Sequence, residues 1–196
     1  MDLLGNWNSL FSQMTWRQVD PSVSTAEIGD MIEFAHPWSG LSLWGVYVGD
    51  GRVIHFGVGD ENMTQRACRS FLQQIVPKSK GERVLRKTRI CTQLITEIKV
   101  PPGTRIRVNN NKHNLVPSPQ EMMQNRCETF LHQEFNYDLL NFNSEHFATF
   151  VRYGNAVCNQ VGSTTPEREW VSCRTATNHL TIKLQLVARA NICLNH

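Results

Sequence analysis

A chain of 196 residues and 22.4 kDa fits one domain of ordinary size. Its hydrophobic content of 40% and charged content of 19% exclude wholesale disorder, and a chain this long needs no metal or disulfide to complete a core. The net charge of +3 conceals a basic stretch: residues 78–112 hold ten basic and two acidic side chains, a local +8 that leaves −5 for the rest.

Residues 1–26 are polar with scattered Trp7, Phe11 and Trp16, and read as a lead-in without clear elements. Met31–Phe34 and Gly45–Val48 then predict two short strands, and Asp50–Gly51 is a strong hairpin signal joining the second to Arg52–Phe56. Further on, Ile90–Val100 and Thr104–Val108 predict two more strands with Pro101, Pro102 and Gly103 as the turn. Ser118 as cap, Pro119 at the first helical position and Glu121 completing a capping box predict a helix start. Met123, Cys127, Phe130 and Leu131 follow at helical spacing, a stripe that reads as core.

A second helix is predicted from Ser144 to Tyr153, capped by Asn143 and ended by Gly154, with Phe147, Phe150 and Val151 facing inward. A polar linker covers 162–167, and the alternation from Leu180 to Leu186 predicts a strand near 179–187. Strands come first and helices after, which predicts an α+β fold: an antiparallel sheet packed on two helices, with a strand-like C-terminal extension. The domain is expected over 27–155, with 1–26 as lead-in and 156–196 as extension.

The six cysteines at 68, 91, 127, 158, 173 and 193 include no Cys-x-x-Cys pair, so no zinc site and no other metal or cofactor is expected. Met1–Asp2–Leu3–Leu4 lacks a basic signal-peptide region, and no apolar run reaches the ~20 residues of a membrane span. The expectation is a cytoplasmic protein with reduced thiols. Within the basic stretch, Lys78, Lys80, Arg83, Arg86, Lys87 and Arg89 form a candidate patch for an anionic lipid surface or an acidic protein partner. Nucleic acid ranks last among its partners, because no aromatic stacking residue interleaves the patch.

Two blocks carry a specific resemblance. Gly29–Phe34 followed by Trp44–Phe56, then Asn143–Phe147 with Arg152, Tyr153 and Gly154, together resemble the lecithin:retinol acyltransferase-like and HRAS-like suppressor family. The match runs over roughly residues 27–155, in order, and Tyr137 with the two leucines after it resembles the retinol acyltransferase branch. The resemblance implies a permuted papain-like (NlpC/P60) domain, in which a cysteine at a helix N-terminus attacks a phospholipid acyl ester with a histidine as base. A helix N-terminus and a neighbouring imidazole both favour a thiolate, which explains why such a site is built this way.

This chain departs from that pattern twice. The nucleophile position holds Ser144 and the base position holds Leu43, while the family's second histidine survives as His55 and the tyrosine as Tyr137. A serine hydroxyl requires a base within about 3 Å, whereas a thiol keeps a few per cent thiolate unaided. His36 reads as a solvent loop residue, His55 as a packed sheet residue, and His146 diverges from Ser144 on the first helical turn, so no rescue of the base is expected. The resulting expectation is a catalytically degenerate domain that binds a protein, a lipid headgroup or an acyl chain. The alternative is an acyltransferase or phospholipase using Ser144 with a non-standard base; the third reading is a nucleic-acid accessory protein using residues 78–112.

Overall fold

The Asp50–Gly51 pair sits at φ of 50° and 69°, the left-handed conformation of a two-residue hairpin loop, and so fixes the centre of the sheet. It joins β3 (Ser42–Gly49) to β4 (Arg52–Val58), which pair antiparallel with Gly45 opposite His55. In the computed structural model, residues 17–35, 42–58, 85–98, 100, 102–138, 142–159, 181–182 and 184–185 are described. They build one sheet in the order β1-β6-β2-β3-β4-β5-β7. The other strands are β1 (Arg17–Val19), β2 (Met31–Ala35), β5 (Leu85–Leu94), β6 (Thr104–Val108) and β7 (Glu134–Asp138). Two complete α-helices lie among the described residues, α1 (Gln120–Phe130) and α2 (Ser144–Tyr153).

The α+β expectation holds, with one refinement. All pairs are antiparallel except β1 with β6, which run parallel from Arg17↔Thr104 to Val19↔Ile106. The lead-in therefore contributes a strand, followed by a 3-10 helix (Pro21–Thr25) capped by the Asp20 carboxylate. The strand expected over Ile90–Val100 instead spans Leu85–Leu94 and gives way to a turn at 95–97. It pairs with β4 and β7, which places it remote in the sheet order from β6 despite the short connection.

The expected capping box at α1 is not formed. Pro119 occupies the cap position without a side-chain bond, and the Ser118 hydroxyl instead accepts from Arg126 at 2.9 Å. Arg126 also donates to the Val151 carbonyl of α2 at 2.7 Å, so this corner is tied by a long-range contact in place of a local cap. The strand expected near 179–187 is also corrected. Its described residues Thr181, Ile182, Leu184 and Gln185 are helical, with Thr181 and Leu184 buried and Ile182 and Gln185 exposed, a spacing of three residues that the alternation obscured.

Phe56 is the centre of the core on the α2 side. Its ring meets Tyr137 at 5.5 Å, Phe142 at 5.3 Å, Phe147 at 5.6 Å and Phe135 at 6.3 Å, all near edge-to-face. This cluster pins the start of α2 against β4 and β7, and so positions everything at the helix N-terminus.

Candidate functional site

The site is built at the first turn of α2. Asn143 is extended, and its Oδ1 accepts from the backbone N–H of Glu145 (2.9 Å) and His146 (3.2 Å). His146 Nδ1 in return accepts from the Asn143 N–H at 3.2 Å, closing a capping box in which an imidazole replaces the usual Glu or Gln. The motif thus forms its own cap, and Ser144 stands at the first helical position with its side chain buried.

Pairing of β3 with β4 begins at Gly45, and at that point the Trp44 amide donates to Ser144 Oγ at 3.1 Å. The Tyr137 hydroxyl, on β7, is hydrogen-bonded to Ser144 as well. Burial raises the Tyr137 phenol well above its ordinary range, with the Ser144 contact a smaller opposing effect, so it stays protonated. Leu43, the residue before that amide and the position where the resemblance implies a base, is buried. The structure therefore brings together Ser144, Tyr137 and the backbone amide that follows Leu43.

His55 is placed differently. By register His55 lies opposite Gly45 of β3 and Cys91 of β5, and it alternates with Phe56, whose ring packs on α2. The polar partners of His55 among the described residues are Gln93 and Cys91 on β5, and Ser144 is not one of them. Burial lowers the His55 pKa, only partly countered by Gln93 and the Phe56 backbone, which leaves a neutral imidazole.

Next to Ser144, a buried network surrounds Glu145. Its Oε1 lies 3.1 Å from Lys112 Nζ and 3.2 Å from His113 Nε2, and the Cys158 thiol donates to Oε2 at 3.2 Å. Burial opposes ionisation of Glu145, but His113, Lys112 and Cys158 together outweigh it and hold the pKa at about 2. Asn143 Nδ2 donates to Cys158 Sγ at 3.2 Å, and Lys112 Nζ also sits 4.8 Å over the Trp44 ring. Sequence reasoning did not find Lys112, His113 or Cys158 as site residues. No local pattern marks them, since Lys112 and His113 reach Glu145 from one loop and Cys158 from another.

Of the candidate basic patch, Lys78, Lys80 and Arg83 lie outside the described residues, as does His36. Arg86 and Lys87 fall in β5 opposite Tyr137 and Asn136. Arg89 is ion-paired with Glu134 of β7 at 3.2 Å, a surface pair within the sheet. Among the described residues, no group of three or more His, Cys, Asp or Glu could hold a metal, and no helix is long and apolar enough to cross a membrane.

Burial of His146 lowers its pKa to about 4, with the Glu145 and Asp138 charges acting in the opposite sense. The unfolded chain takes up that proton near pH 6.5 and the folded one only near 4, so the unfolded state binds more protons in between and stability falls with falling pH. His146 alone is expected to remove about 2 kcal/mol between pH 7 and 5. Glu145 adds a second loss only below about pH 4.5, as pH falls toward 2. Urea midpoints measured across this range in native protein and His146→Gln check the point: the variant should lose the upper part of the slope, and an unchanged slope would refute it.

Comparison with known proteins gives a consistent result. The sequence model of the family described as Lecithin retinol acyltransferase matches residues 24–157. The chain is 32% identical over 136 residues to Phospholipase A and acyltransferase 2 of Homo sapiens, covering 68% of this chain and 75% of that protein. It is 32% identical over 147 residues to Phospholipase A and acyltransferase 1 of Homo sapiens, with 74% and 77% covered. With Phospholipase A and acyltransferase 1 of Mus musculus the identity is 34% over 135 residues, covering 67% and 71%.

Proposed function

This chain belongs to the lecithin retinol acyltransferase family, and from that premise we propose that it is a member that binds a phospholipid headgroup or acyl chain, or a protein partner, without turning lipid over. One observation carries this reading. The Ser144 oxygen is held by the Trp44 amide and the Tyr137 hydroxyl, while the residue before that amide, at the base position the resemblance implies, is the buried Leu43. Among its described partners that serine hydroxyl has no imidazole or carboxylate to take its proton, and burial keeps the Tyr137 phenol from serving as a base. The relatives named above are phospholipases A and acyltransferases by name, which makes phospholipid the first ligand to test.

The test incubates native protein and Ser144→Ala with phosphatidylcholine vesicles, measuring co-sedimentation, intact protein mass and released fatty acid. Both proteins should bind the vesicles equally, and neither should gain acyl mass or release fatty acid. Fatty-acid release that disappears in Ser144→Ala would overturn the reading and make this an enzyme with a serine nucleophile. Absence of vesicle binding would remove the lipid ligand and leave the protein partner.

A further inference from the structure

The segment between β6 and α1 carries an apolar tip that the core does not use. Five large apolar side chains are exposed among the described residues, and three of them fall within 115–122: Leu115 (37%), Val116 (87%) and Met122 (49%). Single exposed hydrophobes are ordinary, whereas several in one short segment mark a contact surface. The sequence builds this tip. Asn114 sits at φ 49°, a left-handed setting that asparagine tolerates, and follows directly on the turn at 112–113. Pro117 and Pro119 fix their own φ and favour an extended backbone at Val116 and Ser118, which keeps 114–119 out of the helix that starts at Gln120. Both roots are anchored. Lys112 Nζ and His113 Nε2 lie 3.1 and 3.2 Å from Glu145 Oε1, and the Ser118 amide donates to the Arg152 carbonyl at 2.8 Å.

Resting on the phospholipid reading above, we propose that Leu115, Val116 and Met122 are the side chains by which this protein docks on a zwitterionic phospholipid bilayer. Size and charge select that occupant. Three side chains cannot supply the roughly 800 Å² per partner of a specific protein interface, whereas a few apolar groups on an anchored tip give reversible entry into the headgroup–acyl boundary. From Asn114 to Asn125 the one charged residue is Glu121, so the tip offers no cation to an anionic lipid or an acidic protein. Docking there brings the bilayer close to Ser144. Val116 is three residues beyond His113, a reach of at most about 11 Å, and His113 meets the carboxylate of the residue after Ser144. The two prolines limit the freedom that the tip loses on docking.

The experiment measures co-sedimentation of the full chain with dioleoylphosphatidylcholine vesicles at low and high salt, for native protein, Val116→Asp and Leu115→Ser/Val116→Ser. Both positions are exposed, so the variants should keep the native urea midpoint. Native protein should bind at both salt levels. Partition should fall at least about 10-fold in either variant, the loss expected from roughly two methylene groups. Hydrogen exchange of native protein with and without vesicles should show the strongest added protection at 114–122, a readout that needs no variant. Native-like partition of the folded double variant, or protection centred elsewhere, would overturn the docking tip and leave the phospholipid reading standing. Native binding that disappears at high salt would assign it to basic side chains and equally overturn the tip. A dimer of the native protein in sedimentation velocity, lost in the double variant, would put a second copy on the tip in place of a bilayer. Absence of any vesicle binding would end the phospholipid reading and this proposal together.

Discussion

The Leu43→His/Ser144→Cys protein should take up acyl mass from phosphatidylcholine, whereas the native protein should take up none. The physical case rests on what the fold already provides. Asn143 caps α2 so that residue 144 stands at the first helical position, where the helix dipole favours a negative sulfur. Residue 43 immediately precedes the amide that touches Ser144 Oγ at 3.1 Å, and it is the position where the resemblance implies the base. Leucine and histidine are similar in volume, which limits the packing cost of the exchange at a buried position. Nucleophile and base act as a unit, and removing either from such a pair costs several powers of ten. The double variant should therefore acylate at least about 10²-fold faster than either single substitution. Intact-mass time courses of the four proteins decide the matter. Equal rates for Ser144→Cys and the double variant would mean that residue 43 does not reach the nucleophile.

Phe56→Ala is expected to be the most destabilising single change in the described core. Phe56 is 1% exposed and meets four aromatic rings, from Phe142 at 5.3 Å to Phe135 at 6.3 Å. Truncation removes the buried ring and opens a cavity between β4, β7 and α2, a loss of about 3–5 kcal/mol. A typical domain has only about 5–15 kcal/mol in total, so the variant should unfold at a much lower urea concentration. Because the same cluster seats the α2 N-terminus, the Tyr137–Ser144 contact should loosen before global unfolding. Val116→Ala is the control: Val116 is 87% exposed, and its truncation should change stability by less than about 0.5 kcal/mol. A Phe56→Ala loss below about 1 kcal/mol would show that the aromatic cluster does not organise the core.

What the amino-acid order by itself determined is local. Asp50–Gly51 specifies the β3–β4 hairpin because only residues tolerant of positive φ form that loop. Asn143 and Gly154 bound α2 at both ends, since a side-chain acceptor and a left-handed glycine satisfy the helix's own unpaired groups. The Ser144 and Leu43 departures are likewise legible, being single positions within contiguous motifs.

Only the tertiary structure decided the rest. β1 and β7 are short strands whose partners, β6 and β5, lie far along the chain, so their formation depends on pairing energy absent from any local window. Ser118 exchanged a local cap for Arg126 because the packed α2 brings the Val151 carbonyl to the same guanidinium. Thr181, Ile182, Leu184 and Gln185 lie in a stretch that alternates like a strand yet are helical, with Thr181 bonded to the Ala156 amide at 2.9 Å. Lys112, His113 and Cys158 became partners of Glu145, and Cys91 a partner of His55, through register and loop return. Burial then gave those contacts their electrostatic weight: the same Glu145 carboxylate, exposed on an isolated helix, would titrate near its ordinary value rather than at about 2.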